Sequence, residues 1–301
     1  MDTFTQTLAP ESVWTHWGGG LVELLLIAVP AAWYAIGVRA LWRQAGTGRG
    51  VTRLQAASFA AGMLALFIAL ASPIDALAEA LFSVHMLQHL LLILVAAPLC
   101  VLGAPLLPML WALPRSARRR GGDWWHRRAV LRRVVYVATA PGMVFVLHTV
   151  ALWFWHFPGP YQTALRDPFV HALEHLPFFG TALLFWWVVA QPAGRRRVSY
   201  PAAILLIGGT LMQSGALGAV LMFAHSPWYP AHGAGARAWG VTLLGDQQLA
   251  GLIMWIPAGF IYVGAAALLF LEWMRADERL SNTAPRAARA RRAALRLEVV
   301  K

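Results

Sequence analysis

Seven stretches of mostly apolar residues, 18–38, 54–71, 84–111, 134–155, 169–190, 201–223 and 248–271, occupy most of the chain. A helix that crosses a bilayer takes about 20 such residues. In the hydrocarbon core only the chain itself can satisfy its backbone N–H and C=O groups, which a helix does within one segment. The expected fold is therefore an all-α integral membrane protein with seven transmembrane helices. Composition agrees: 59% of the 301 residues are hydrophobic, 13% are charged, and the mean hydropathy is +0.57, which excludes a water-soluble fold. Residues 1–273 form the membrane domain on this reading, and residues 274–301 a basic cytoplasmic tail.

Basic residues fall in alternate connections. The first carries Arg39, Arg43, Arg49 and Arg53, the second only Asp75 and Glu79, and the third eight arginines between residues 115 and 133. Arg166 beside Asp167, then Arg195, Arg196 and Arg197, then Arg237 alone continue the alternation, and eight Lys and Arg lie from Arg275 onward. By the positive-inside rule the N-terminus is outside and the C-terminus cytoplasmic. The same placement argues against nucleic acid as a partner, because the net charge of +12 sits in short loops and one tail. That tail is expected to be drawn to the anionic headgroups of the lipid bilayer. Residues 1–20 carry Asp2 and Glu11 and no basic run, so the first apolar stretch reads as a retained helix rather than a signal peptide. In the third stretch Pro98, Pro105 and Pro108 remove backbone donors and clash one turn back, which makes helix three long and proline-broken. Trp153, Trp155, Trp186, Trp187, Trp228 and Trp273 fall near segment ends and are expected at headgroup level.

On this topology nine of the ten histidines lie in the outer loops or outer helix halves, and only His126 is cytoplasmic. Ionisable groups at membrane depth face a protein interior or a polar cavity, which points to a shared site. His85 and His89 open helix three, and His171 and His175 open helix five. Residues four apart on a helix have Cβ atoms roughly 5–6 Å apart, close enough for one metal ion to take both rings. Helix four ends at His156, with His148 about 12 Å deeper. The spacing thus predicts a deeper layer of His89, His148 and His175 beneath a shallower layer of His85, His156 and His171. The same rings can instead bridge helices by hydrogen bonds, worth roughly 0.6 kcal/mol each. His16, His126, His225 and His232 read as solvated or interfacial.

Imidazole suits copper, zinc, iron or nickel, and thioether sulfur selects Cu(I). Met86, Met222 and Met254 are available, although a methionine on an apolar helix more often fills a packing gap. A zincin places a glutamate directly after its first histidine, whereas here Glu174 directly precedes His175. Glu174 is instead a candidate to hydrogen-bond a ligating ring. Asp246, at the outer start of helix seven, is a candidate to pair with an imidazole, to cap a helix, or both. Glu23 is a weaker candidate of the same kind. A single cysteine, Cys100, excludes an internal disulfide and multi-cysteine centres. It lies about 22 Å inward of His85 and reads as a packing residue.

The string from His85 to Leu90, the later Ala97-Pro98-Leu99 and Leu102-Gly103-Ala104-Pro105, Trp155-His156-Phe157-Pro158, the block from His171 to His175, and Asp246-Gln247-Gln248-Leu249-Ala250-Gly251 through Met254-Trp255 together carry a resemblance. They resemble the motif blocks of the multi-span cytochrome c oxidase assembly factor family CtaG, associated with caa-type oxidases, over roughly residues 20–270. The resemblance implies a seven-helix plasma (inner) membrane protein of the respiratory chain. It implies a role in forming active haem–copper oxidase, with oxidase subunits as partners and copper as the metal handled. On this reading the outer histidines bind copper, received from a periplasmic or extracellular donor, and support its insertion into an oxidase subunit. No chemistry on a substrate is required, so the chain is not expected to be an enzyme. Two alternatives stay open: a haem- or di-metal-binding membrane enzyme or electron carrier, and a metal-free scaffold for assembly.

Overall fold

The computed structural model describes residues 10, 12–17, 19–190 and 198–299, with side chains described to residue 279 and at Ser281. Arg195, Arg196 and Arg197, most of residues 1–20 and the side chains of the basic tail beyond residue 281 lie outside the described residues. Among these described residues fourteen α-helices follow one another: α1 (Leu21–Ala45), α2 (Arg53–Leu70), α3 (Pro73–Ala80), α4 (Phe82–Leu90), α5 (Ala97–Leu102), α6 (Leu106–Trp111) and α7 (Arg115–Arg127). Then come α8 (Ala129–Ala138), α9 (Pro141–His156), α10 (Pro158–Arg166), α11 (Pro168–Ala190), α12 (Tyr200–Met222), α13 (Gly233–Ala238) and α14 (Leu243–Val299). Among the described residues there is no strand.

Among the described residues six helices are long and apolar enough to cross a membrane: α1, α2, the stretch Phe82–Leu102, α11, α12 and the Leu243–Arg279 part of α14. The expected fourth span is instead two helices, α8 and α9, bent by 68°. The bend falls where Pro141 opens α9, since proline lacks an N–H and holds the preceding residue extended, as Ala140 is at ψ 138°. Counting that pair as one span gives seven. The outward faces are apolar, with Leu26 66%, Met212 77% and Phe260 76% exposed. Hydrophobic surface on this scale suits lipid, not water.

Pro98 leaves its mark upstream. Residues Leu91–Ala96 wind as a π-helix, so that Ala97 N donates to Leu92 O rather than to Ile93 O. The next donor in the π register falls on Pro98, which has none. The orphaned Ile93 carbonyl is taken by the indole N–H of Trp186 at 2.8 Å. Trp186 is buried, and Trp153 donates to Gln213 Oε1 at 2.9 Å, so the indole N–H of each is spent on a partner within the protein. Beyond α5 the chain breaks at Gly103 and at Ala104, whose φ is 47°, and Tyr34 Oη donates to the freed Gly103 carbonyl.

The main core lies among α4, α9, α11, α12 and α14, around Phe82, Met86, Phe178 and Phe185. There α12 and α14 approach backbone to backbone. A Cβ on Gly251 would stand 2.5 Å from Gly218 O, so only glycine fits. α14 runs on without a break past residue 273 into the basic stretch.

Candidate metal centre

Two helix starts build the site. α11 begins at Pro168, and Asp167 Oδ1 accepts from the free amides of Phe169 at 2.8 Å and Val170 at 3.4 Å. α4 has no capping side chain of its own. Its cap comes from α14: Asp246 accepts from Phe82 N at 2.7 Å, Ser83 N at 3.2 Å and Ser83 Oγ at 2.5 Å. Gln247 and Gln248 extend the brace, accepting from Trp228 N and donating to Ala224 O. Asp246 therefore supports the site by holding the helix that carries His85 and His89.

Behind these caps four imidazoles cluster, and two of them face one carboxylate. Glu174 Oε2 lies 3.7 Å from His85 Nε2, and Glu174 Oε1 lies 3.9 Å from His89 Nε2. Single ligand atoms of His85, His171 and Glu174 all fall within 4.8 Å of one another. Ring centroids stand 4.4 Å apart for His85 and His89, 4.5 Å for His171 and His175, 5.4 Å for His85 and His171, and 5.7 Å for His89 and His175. Both Glu174 oxygens, both ring nitrogens of His89, His85 Nε2, His171 Nε2 and His175 Nε2 are buried without a hydrogen-bond partner. His85 Nδ1 is likewise buried without a partner.

An unpaired buried carboxylate is costly, and so is each unpaired ring nitrogen. The arrangement suits a cation, which would satisfy both at once. The donor set of imidazole nitrogens and one carboxylate fits copper, zinc or iron.

The expected deeper layer is not brought together. His148 Nδ1 pairs with Thr181 Oγ1 at 2.9 Å and its ring stacks on Phe185, and among the described residues it makes no ring contact with another histidine. His156 reaches the edge of the cluster, 6.1 Å from the His89 ring. Its Nδ1 meets Leu152 O at 2.6 Å and its Nε2 meets Met86 Sδ at 3.1 Å. Of the residues read as solvated, His16 and His225 are exposed, but His232 is buried. Its ring lies 6.5 Å from that of His85, and its Nε2 stands 2.7 Å from Tyr161 Oη. Burial, then the nearby Glu174 charge, pushes the Tyr161 phenol well up, while burial, then His85, pushes His232 down to about 4. Tyr161 is thus the donor to a neutral His232. The apolar Trp228-Tyr229-Pro230-Ala231 run just before His232 was the available signal for its burial.

The family described as the cytochrome c oxidase caa3 assembly factor matches this chain over residues 32–276. Among curated proteins, an uncharacterized protein of Mycobacterium bovis and one of Mycobacterium tuberculosis are each 29% identical over 264 residues, 86% of this chain and 40% of theirs. An uncharacterized protein of Mycobacterium leprae is 26% identical over 243 residues, 79% of this chain and 37% of its own. The chain thus spans about two-fifths of the length of these relatives. No solved structure matches it.

Proposed function

The chain belongs to the cytochrome c oxidase caa3 assembly factor family, and from that premise we propose that it binds copper as cargo and supports copper insertion into an oxidase subunit. The proposed ligands are His85, His89, His171 and His175, with Glu174 as the charged member. The observation that carries this reading is Glu174, a buried carboxylate with both oxygens lacking a hydrogen-bond partner, facing two imidazoles of α4 and sharing α11 with His171 one turn before it and His175 directly after it.

From the alternation of basic loops we infer that this cluster faces the outer side of the membrane, with the N-terminus outside and the C-terminal stretch from residue 274 in the cytoplasm. A donor on that side would supply the ion. A transfer site works best when it holds its ion without saturating the coordination sphere. Ligands on only two helices leave room for a recipient's ligand to enter.

Metal analysis of the purified protein tests the reading. Wild type is expected to carry copper, and His89→Ala and His175→Ala to lose it. Unchanged copper in both variants would overturn the assignment. A Soret band in the wild-type spectrum would favour haem instead, and oxidase assembly that survives the double variant would favour a metal-free scaffold.

A further inference from the structure

His156 and Met86 face each other in a way that ordinary hydrogen bonding does not explain. Among the described residues His156 Nδ1 is partnered by the Leu152 carbonyl at 2.6 Å, and a carbonyl only accepts, so Nδ1 carries the ring proton. In the neutral ring Nε2 is then a bare lone pair. It points at Met86 Sδ at 3.1 Å, and a thioether has no proton to give. Both side chains are buried, so water does not separate them. The ring is also fixed from its backbone side, since Tyr229 Oη donates to His156 O at 2.6 Å. Two lone pairs converging at this distance call for a Lewis acid. A proton would put an imidazolium against sulfur, a weak acceptor. A soft metal ion would satisfy both atoms.

We propose that Met86 Sδ and His156 Nε2 form a soft arm of the centre that holds copper as Cu(I), with His89 as the ligand shared between this arm and the Glu174 side. The inference rests on the proposed copper-binding function and specifies its oxidation state. Thioether with imidazole selects Cu(I) over zinc and other divalent ions, whereas the carboxylate and imidazoles around Glu174 do not discriminate. His89 is placed to serve both sides. Its ring lies 6.1 Å from that of His156, 5.7 Å from that of His175 and 4.4 Å from that of His85, and neither of its nitrogens is otherwise engaged. Met86 and His89 sit three residues apart on α4, which puts them on one face of that helix. The centre thus has a hard end and a soft end joined at His89.

The test uses the full chain purified in detergent. Cu(I) is titrated against a chromophoric Cu(I) chelator under reductant, and Zn(II) against a zinc indicator, for wild type, Met86→Leu and Met212→Leu. Met212 is 77% exposed on the outer face of α12 and serves as the control. Leucine conserves volume at a methionine site, so Met86→Leu should fold. It is expected to weaken Cu(I) binding by about 10–100-fold, the range typical of disrupted metal surroundings, and to leave Zn(II) affinity unchanged; Met212→Leu should leave both unchanged. Copper K-edge absorption of the Cu(I)-loaded wild type should show a sulfur scatterer, a result that needs no variant. A copper shell of nitrogen and oxygen alone, or equal Cu(I) affinity in wild type and Met86→Leu, overturns the soft arm and leaves the copper site standing. Failure of the wild type to bind copper in either state overturns the proposed function with it.

Discussion

Asp246 on α14 accepts a 2.7 Å hydrogen bond from the backbone N of Phe82, 164 residues earlier, and so caps the helix that carries His85 and His89. The same carboxylate takes Ser83 N and Ser83 Oγ, and all of these groups are buried. Asp246→Ala leaves the start of α4 without acceptors. It should lower stability by about 1–3 kcal/mol, the cost of stranding buried donors, with Asp246→Asn falling between it and wild type. Thermal unfolding in detergent reads the loss, and faster hydrogen exchange at Phe82 and Ser83 locates it. Equal melting of Asp246→Ala and wild type would mean that the cap carries no load.

Glu174 lies 3.7 Å from His85 and 3.9 Å from His89. Glu174→Gln keeps the volume and removes the charge that offsets a bound cation. Without metal the variant should be no less stable than wild type, because glutamine occupies the same buried space without an ionisable group. With metal it should bind Zn(II) and copper more weakly, by about 10–100-fold. Unchanged affinity together with unchanged stability would remove Glu174 from the centre.

His148 and His175 make opposite predictions. His148 spends Nδ1 on Thr181 and packs on Phe185, whereas His175 Nε2 is unpaired among three other histidine rings. His148→Ala should therefore cost stability and leave metal content at the wild-type level, and His175→Ala should do the reverse. Copper content and melting temperature, measured side by side, separate the two. Equal loss of copper in both would restore the deep layer that spacing along α9 suggests.

These contrasts show what could be read from residue order. The apolar runs and the i, i+4 pairs His85/His89 and His171/His175 were legible because helix rise and periodicity are local properties. Glu174, between the members of one pair, was legible for the same reason. His148 lies apart from the other rings: its depth along α9 matches His89 and His175, but depth does not fix which way a ring faces. His232 and Tyr161, on short elements between the spans, were hidden because such residues come together only through contacts between distant parts of the chain. Asp246 was singled out as a cap, yet the helix it caps is α4, which no spacing along the sequence encodes.

Asp75, on α3 outside the spans, links this architecture to pH. Its Oδ1 accepts from Gln88 Nε2 at 2.7 Å and its Oδ2 from Gly19 N at 3.1 Å, yet burial outweighs both bonds and, with Glu79 and Glu23 nearby, raises its carboxyl to about 6. The unfolded chain releases the same proton near an unperturbed value of about 3.9. Between these values the native state binds the proton and the unfolded state does not, so stability rises as pH falls from about 6 toward about 4 and is level below that. Asp75→Asn cannot take up the proton. The melting temperature of wild type relative to Asp75→Asn should therefore climb as the buffer is taken from pH 7 to pH 4.5. A protonated-carboxyl infrared band, present in wild type at pH 5 and absent from the variant, would identify the group. A constant difference in melting temperature across that range would place the Asp75 titration elsewhere.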